Sequence, residues 1–290
     1  MHDVTYELKR LAEQHREGSF ATQANRKHML MLFGEQLVAA GFKRLHAPEL
    51  KGRHINCLLA LWQEQGVAPR TIENRLSVLR WWAKHVDNPG VLATGNASYG
   101  IPKRETVAKV SKARDLPLTT LVRVRNAHVR MALQLQRAFG LRREEALKIK
   151  PFQADHGDTL VLQGSWTKGG RPREIPIRTL AQRELLDRAK AFVKHKSASL
   201  IPPDKTYAQH LHSYESQCVR AGPHKMHGLR HAYAQERFLE LAGFPCPAMG
   251  GPHAPDLTPE QRAVDAEARE IISSELGHSR EAITAAYLGR

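Results

Sequence analysis

Cysteine is scarce in this 290-residue chain: Cys57, Cys218 and Cys246 lie far apart, odd in number and without a C-x-x-C pair. That argues against a disulfide framework and a cysteine zinc site; reduced, inert thiols predict a cytoplasmic protein. No apolar run approaches the ~18 residues needed to span a membrane. The opening M-H-D-V-T-Y-E-L-K-R lacks the apolar core of a signal peptide. No internal repeat, low-complexity segment or carboxylate cluster suited to a metal ion is visible, so neither a metal nor another cofactor is expected. Acidic residues are also in deficit. Against 44 Lys and Arg stand 29 Asp and Glu, a formal net charge of +15. Such an excess favours polyanionic partners, nucleic acid first and an acidic membrane surface second. A ribosome-bound or merely solubilising basic surface is still open on charge alone.

The length suits about two domains. Residues 1–87 read as a helical domain, with apolar residues at helical intervals in L-K-R-L-A-E-Q-H, H-M-L-M-L-F-G-E-Q-L-V-A-A-G and I-N-C-L-L-A-L-W-Q-E-Q-G. In P-R-T-I-E-N-R-L-S-V-L-R-W-W-A-K-H-V, Ile72, Leu76, Leu79 and Trp82 share a face, while Arg70, Asn74, Arg75 and Arg80 fall elsewhere. Residues 88–110, rich in Gly, Pro and small polar residues, read as a linker. The domain 111–290 begins with one long helical pattern over 117–139 that stops at Gly140. Three short β-prone runs follow, L-K-I-K-P-F, T-L-V-L-Q-G and R-E-I-P-I, separated by turns, and predict a three-stranded antiparallel sheet. Helices are then expected over 178–195, 204–220 and 226–242. A Pro/Gly-rich stretch interrupts them. Thr258-Pro259-Glu260-Gln261 reads as a capping box opening a helix to about Leu276, and Ser279 as the cap of the last helix. The fold class is mainly α with a small antiparallel β-sheet (α+β).

Four places hold groups that can cooperate. In F-G-L-R-R-E-E-A, Arg142 follows a break and Glu145 can hold it rigid. In the turn T-K-G-G-R-P-R, Lys168 can reach a phosphate or base edge. In M-H-G-L-R-H, His227 and Arg230 are three apart on one helix, and His231 follows. Near the end, His278 precedes Tyr287 by nine residues. Each alone has a bland reading: a surface ion pair, a solvated turn lysine, a core helix with one satisfied histidine, a packed tyrosine. The order R…K…H-x-x-R…H…Y is far more specific. Two guanidiniums can clamp a phosphate and stabilise a pentacoordinate phosphorane. A lysine can protonate a departing 5′-oxygen, histidines can hold the phosphate or shuttle a proton, and a tyrosine can attack phosphorus.

With these blocks the chain resembles the tyrosine recombinases, the phage-type integrases, Xer recombinases and their relatives. G-L-R-R-E-E-A is similar to the family's G-L-R-x-x-E block, T-K-G-G-R-P-R-E-I-P-I to its β-hairpin, H-G-L-R-H to H-x-L-R-H, and L-G-H-S…Y to its last block. The resemblance implies Arg142, Lys168, His227, Arg230, His278 and Tyr287 as catalytic residues, with Glu145 and His231 supporting them. It implies a helical N-terminal DNA-clamping domain and a tyrosine-recombinase catalytic domain, forming a C-shaped clamp on double-stranded DNA recombination sites. Arg70, Arg75 and Arg171 are assigned to DNA contact. The implied reaction is site-specific recombination, integration or excision of a mobile element, through a 3′-phosphotyrosyl intermediate. It implies a homo-oligomer on DNA (dimer on a site, tetramer in the synapse), directionality or host factors as further partners, and a cytoplasmic, nucleoid-associated protein. The alternatives are a type IB-like topoisomerase and a non-catalytic DNA-binding protein of the same fold. Two departures stand out. His227 and His278 are more widely spaced than is common in the family, the excess being an insertion at about 243–266, read as a peripheral loop and the start of a helix. Only three residues follow Tyr287, where many relatives carry a tail helix.

Overall fold

The computed structural model of the protein describes residues 2–102, 105–222 and 225–290. The chain divides into two compact units, Met1–Glu105 and Thr106–Arg290. Two residues of the stretch read as a linker, Lys103 and Arg104, lie outside the described residues.

The first unit is built from α1 (Asp3–Gln14), α2 (Phe20–Ala39), α3 (Gly52–Glu64) and α4 (Pro69–His85). Ser19 caps α2 by accepting from the Thr22 amide, and Pro69 opens α4 where no backbone donor is needed. Leu8, Phe33, Leu58, Trp62, Leu76 and Trp82 are fully buried in one core. Both tryptophans satisfy their indole N–H groups, Trp62 on Gln36 Oε1 at 2.9 Å and Trp82 on the Ala47 carbonyl at 2.9 Å. A buried indole donor left unpaired would cost as much as a lost hydrogen bond. Leu92 and Ile101, within the stretch 88–110, are buried in this core, while Ala108 joins the second.

The second unit opens with α5 (Leu118–Arg123) and α6 (Ala127–Phe139) rather than one helix over 117–139. The first ends at Arg123, and Asn126 caps the second, its Oδ1 accepting from the Val129 amide at 3.1 Å. Then come α7 (Arg143–Lys148) and α8 (Pro151–Ala154). The first run expected as a strand, 147–152, instead ends α7 and starts α8, with Ile149 and Lys150 between them. Leu147 completes the apolar face of α7, and Pro151, which cannot donate to a ladder, starts α8. Among the described residues the sheet has two strands, β1 (Thr159–Leu162) and β2 (Arg173–Pro176), antiparallel with Leu160 opposite Ile175 and Leu162 opposite Arg173. Helices α9 (Leu180–Val193), α10 (Tyr207–Ala221) and α11 (Gly228–Ala242) follow. Next is α12 (Pro259–Glu275), opened by the Thr258/Gln261 capping box, and last α13 (Ala285–Leu288). Ser279 caps nothing: the helical turn after it runs Glu281–Thr284 from Arg280, and Thr284 leads into α13. The insertion at 243–266 is not peripheral throughout. Cys246 and Ala248 are buried in the second core, in a 3₁₀ turn Pro247–Met249.

Candidate active site

The second unit brings five of the six residues of the R…K…H-x-x-R…H…Y series into one cluster, each delivered by a chain break or helix end. Gly140 ends α6 at φ +60°, and a Cβ there would lie 2.5 Å from the Tyr233 ring, so the turn that presents Arg142 demands glycine. Arg142 stands just before α7, its backbone N–H donating to Glu145 Oε2 at 2.5 Å and its Nη1 to Glu145 Oε1 at 2.9 Å. His227 precedes α11, and Arg230 lies in that helix's first turn. His278 follows the end of α12, and Tyr287 lies in α13.

Arg230 is almost wholly buried. Two backbone carbonyls hold it, Gly140 at 2.5 Å from Nη1 and Leu276 at Nη2. Nε points to the Tyr287 hydroxyl at 3.4 Å, and Nη2 approaches His278 Nε2 at 3.4 Å. The Tyr287 hydroxyl also lies 3.3 Å from His227 Nε2. The rings of His278 and His231 pack on the tyrosine, centroids at 5.4 and 4.5 Å.

The sequence reading missed Arg173. It donates to both oxygens of Glu145, at 2.6 and 2.7 Å, inside the protein. A signal was present: alternation along R-E-I-P puts Arg173 on the inward face with Ile175. A buried arginine needs a carboxylate partner. Glu145 thus receives bonds from two arginines and one amide. Burial alone would raise its pKa, but Arg173, aided by the charges of Arg230 and Arg142, holds it down at about 2.

Arg142 and Arg173 bond this one carboxylate and Arg230 acts on it through its charge, so three guanidiniums face one anion and the pocket is electropositive. Burial, then repulsion from Arg230, Arg142 and Arg173, pushes His278 down to about 3. Burial and the neighbouring His227 push His231 to about 4, and His227 is lowered by desolvation and by Arg230. All three imidazoles are therefore neutral at pH 7. Arg230, lowered to about 10 mainly by burial, remains charged. Because Arg230 donates toward His278 Nε2, the proton of His278 belongs on Nδ1, a buried atom without a partner.

Lys168 is not drawn into the cluster. It sits exposed in the turn between β1 and β2, a turn pinned by Thr167 Oγ1 donating to the Arg171 carbonyl at 2.7 Å. Arg171 is exposed in the same turn. In the first unit, Arg70 is paired with Glu73 at 2.5 Å. Arg75 folds back over the Trp62 ring at 4.9 Å, with Nε and Nη1 buried and unpaired.

Residues 1–87 match the family model of the phage integrase N-terminal domain, and residues 103–236 match the integrase model, so the two matches span most of the chain and end before His278 and Tyr287. The tyrosine recombinase XerC of Proteus mirabilis is 26% identical over 258 residues, covering 80% of this chain and 78% of XerC. Two solved structures share the fold. A lambda integrase dimer bound to a COC′ core site has a TM-score of 0.62 at 14% identity, over 98% of this chain and 95% of that one. The XerH site-specific recombinase in a post-cleavage complex with a palindromic difH substrate has a TM-score of 0.60 at 16% identity, over 98% and 80%. No helix among the described residues is long and apolar enough to cross a membrane.

Proposed function

Since the chain belongs to the phage-integrase family of tyrosine recombinases, we propose that it cuts and rejoins double-stranded DNA at specific sites with Tyr287 as nucleophile. The observation that carries this reading is the tyrosine hydroxyl set between a neutral imidazole, His227, and a buried guanidinium, Arg230. His227 Nε2 accepts the phenolic proton as the oxygen attacks the scissile phosphorus. Charge then builds on the non-bridging oxygens of a pentacoordinate phosphorane. Arg230 and Arg142 face it as fixed guanidiniums, preorganised by carbonyls and by Glu145, so little reorganisation is needed at the moment of reaction. The 5′-oxygen departs with a proton from Lys168, whose exposed turn must close over DNA to reach it. A 3′-phosphotyrosyl bond replaces a phosphodiester of similar energy, so religation to a new 5′-hydroxyl needs no nucleotide triphosphate.

Integration or excision of a mobile element is the biological role we assign, in a protein acting at the nucleoid. The protomers act as dimers on each site and tetramers in the synapse, with directionality or host factors as accessories. The test is a nicked suicide duplex carrying a candidate attachment site. The wild type gives a covalent protein–DNA adduct, in EDTA as well as in Mg²⁺, and Tyr287→Phe gives none while binding DNA within about twofold. An adduct surviving in Tyr287→Phe removes that residue from the mechanism. Plasmid relaxation without any requirement for paired sites would favour the topoisomerase alternative instead.

A further inference from the structure

Tyr287 lies in a helix of one turn, Ala285–Leu288, preceded by a 3₁₀ turn. So short a helix is unstable by itself, because nucleation costs more than one turn of hydrogen bonds returns. Something else must fix the nucleophile. Four backbone oxygens around it each accept a hydrogen bond from a distant part of the fold. Ala285 accepts from the Ala108 amide at 2.9 Å, and Tyr287 accepts from Gln235 Nε2 at 2.9 Å. Ser111 orients Gln235, donating to its Oε1 at 2.8 Å. Gly289 accepts from Arg269 Nη1 at 2.9 Å, and Arg290 from the His253 ring at 2.5 Å.

The last two anchors come from beyond α11. His253 belongs to the insertion, and Arg269 stands in the helix it leads into. Arg269 is buried over Phe238 and aimed by Asp265, which accepts from Nε at 2.8 Å. The 3₁₀ turn Pro247–Met249 completes the seat. Gly289, at φ +76°, lies so close that a Cβ there would be 2.9 Å from the Ala248 nitrogen and 3.0 Å from Pro247 Cβ. We infer that Arg269, with His253 and the Pro247–Met249 turn, is a clamp on the backbone after Tyr287 that positions the phenol against His227 and Arg230. The insertion is then part of the catalytic apparatus. Arg269 and His253 are positioning residues, acting through the tyrosine without touching DNA. The inference rests on the reading of Tyr287 as nucleophile.

The full-length protein tests it, with single-turnover adduct formation at saturating DNA, DNA affinity, and amide exchange over residues 285–289. Arg269→Gln is expected to slow adduct formation by roughly ten- to a hundredfold, the loss of one buried charge-assisted bond, with DNA affinity unchanged and faster exchange over 285–289. Arg269→Lys, which keeps a charged donor for the Gly289 carbonyl, recovers part of the rate; a purely structural role would not separate rate from affinity in this way. If Arg269→Gln does not fold, His253→Ala, at an exposed position, and Gly289→Ala, which forces the seat apart, take its place, both lowering the rate and loosening 285–289. Folded variants that react within twofold of wild type and exchange like it overturn the clamp. A wild type that forms no adduct overturns the nucleophile reading instead, and the exchange comparison still judges the clamp.

Discussion

Glu145→Gln is the sharpest probe of the site, because the carboxylate it removes is the single anion among three guanidiniums. The substitution keeps the shape and removes the charge. A carboxyl held at about 2 in place of its ordinary 4.5 contributes about 3 kcal/mol of stability at neutral pH. That agrees with the ~3–5 kcal/mol typical of breaking a buried ion pair from one side. For a unit the size of Thr106–Arg290, each kcal/mol moves the melting temperature by about 2–4 °C, so the variant should melt about 6–12 °C lower at pH 7. The sign of the pH dependence follows from the depressed pKa. The contribution is whole above about pH 4.5 and is lost as the pH falls toward 2, where the native carboxyl is protonated too. The gap between wild type and variant should therefore narrow steadily on acidification. Scanning calorimetry of the full-length protein between pH 3 and 7 measures it. A gap under about 2 °C at pH 7, or one that stays constant down to pH 3, refutes the reasoning.

Two further outcomes follow from the proposed chemistry. Lys168→Ala should cut a normal phosphodiester slowly, yet cut a substrate with sulfur in place of the bridging 5′-oxygen at near the wild-type rate, because a thiolate departs without a proton; equal defects on both substrates would remove Lys168 as the acid. DNA binding should weaken by on the order of a thousandfold between about 50 and 200 mM salt if six or more phosphates are contacted, and a filter-binding series showing a shallow dependence would assign the excess positive charge to another purpose.

The periodicity of the first 85 residues, the capping box at Thr258 and the stop at Gly140 were legible in the sequence because each depends on neighbours a few positions away. So were the residues that meet in the cluster: Arg142, His227, Arg230, His278 and Tyr287 stood out by their order along the chain, which resembles that of the tyrosine recombinases. The first expected strand was misread because L-K-I-K-P-F is apolar enough for either state. The choice went to helix through Pro151 and the burial of α7, a tertiary decision. Arg173 escaped for a related reason. Its inward register on β2 was readable, but its partner lies 28 positions earlier, and only folding sets the two face to face. The insertion shows the limit most clearly. Its Pro and Gly content read as a peripheral loop and the start of a helix, whereas packing seats Pro247–Met249 and His253 against the residues after Tyr287. Sequence alone determined which groups this protein brings to the cluster around Tyr287. Tertiary structure decided that a one-turn helix could hold its tyrosine in place, because the bonds that fix it come from residues 108, 235, 253 and 269, distant along the chain and adjacent only once it has folded.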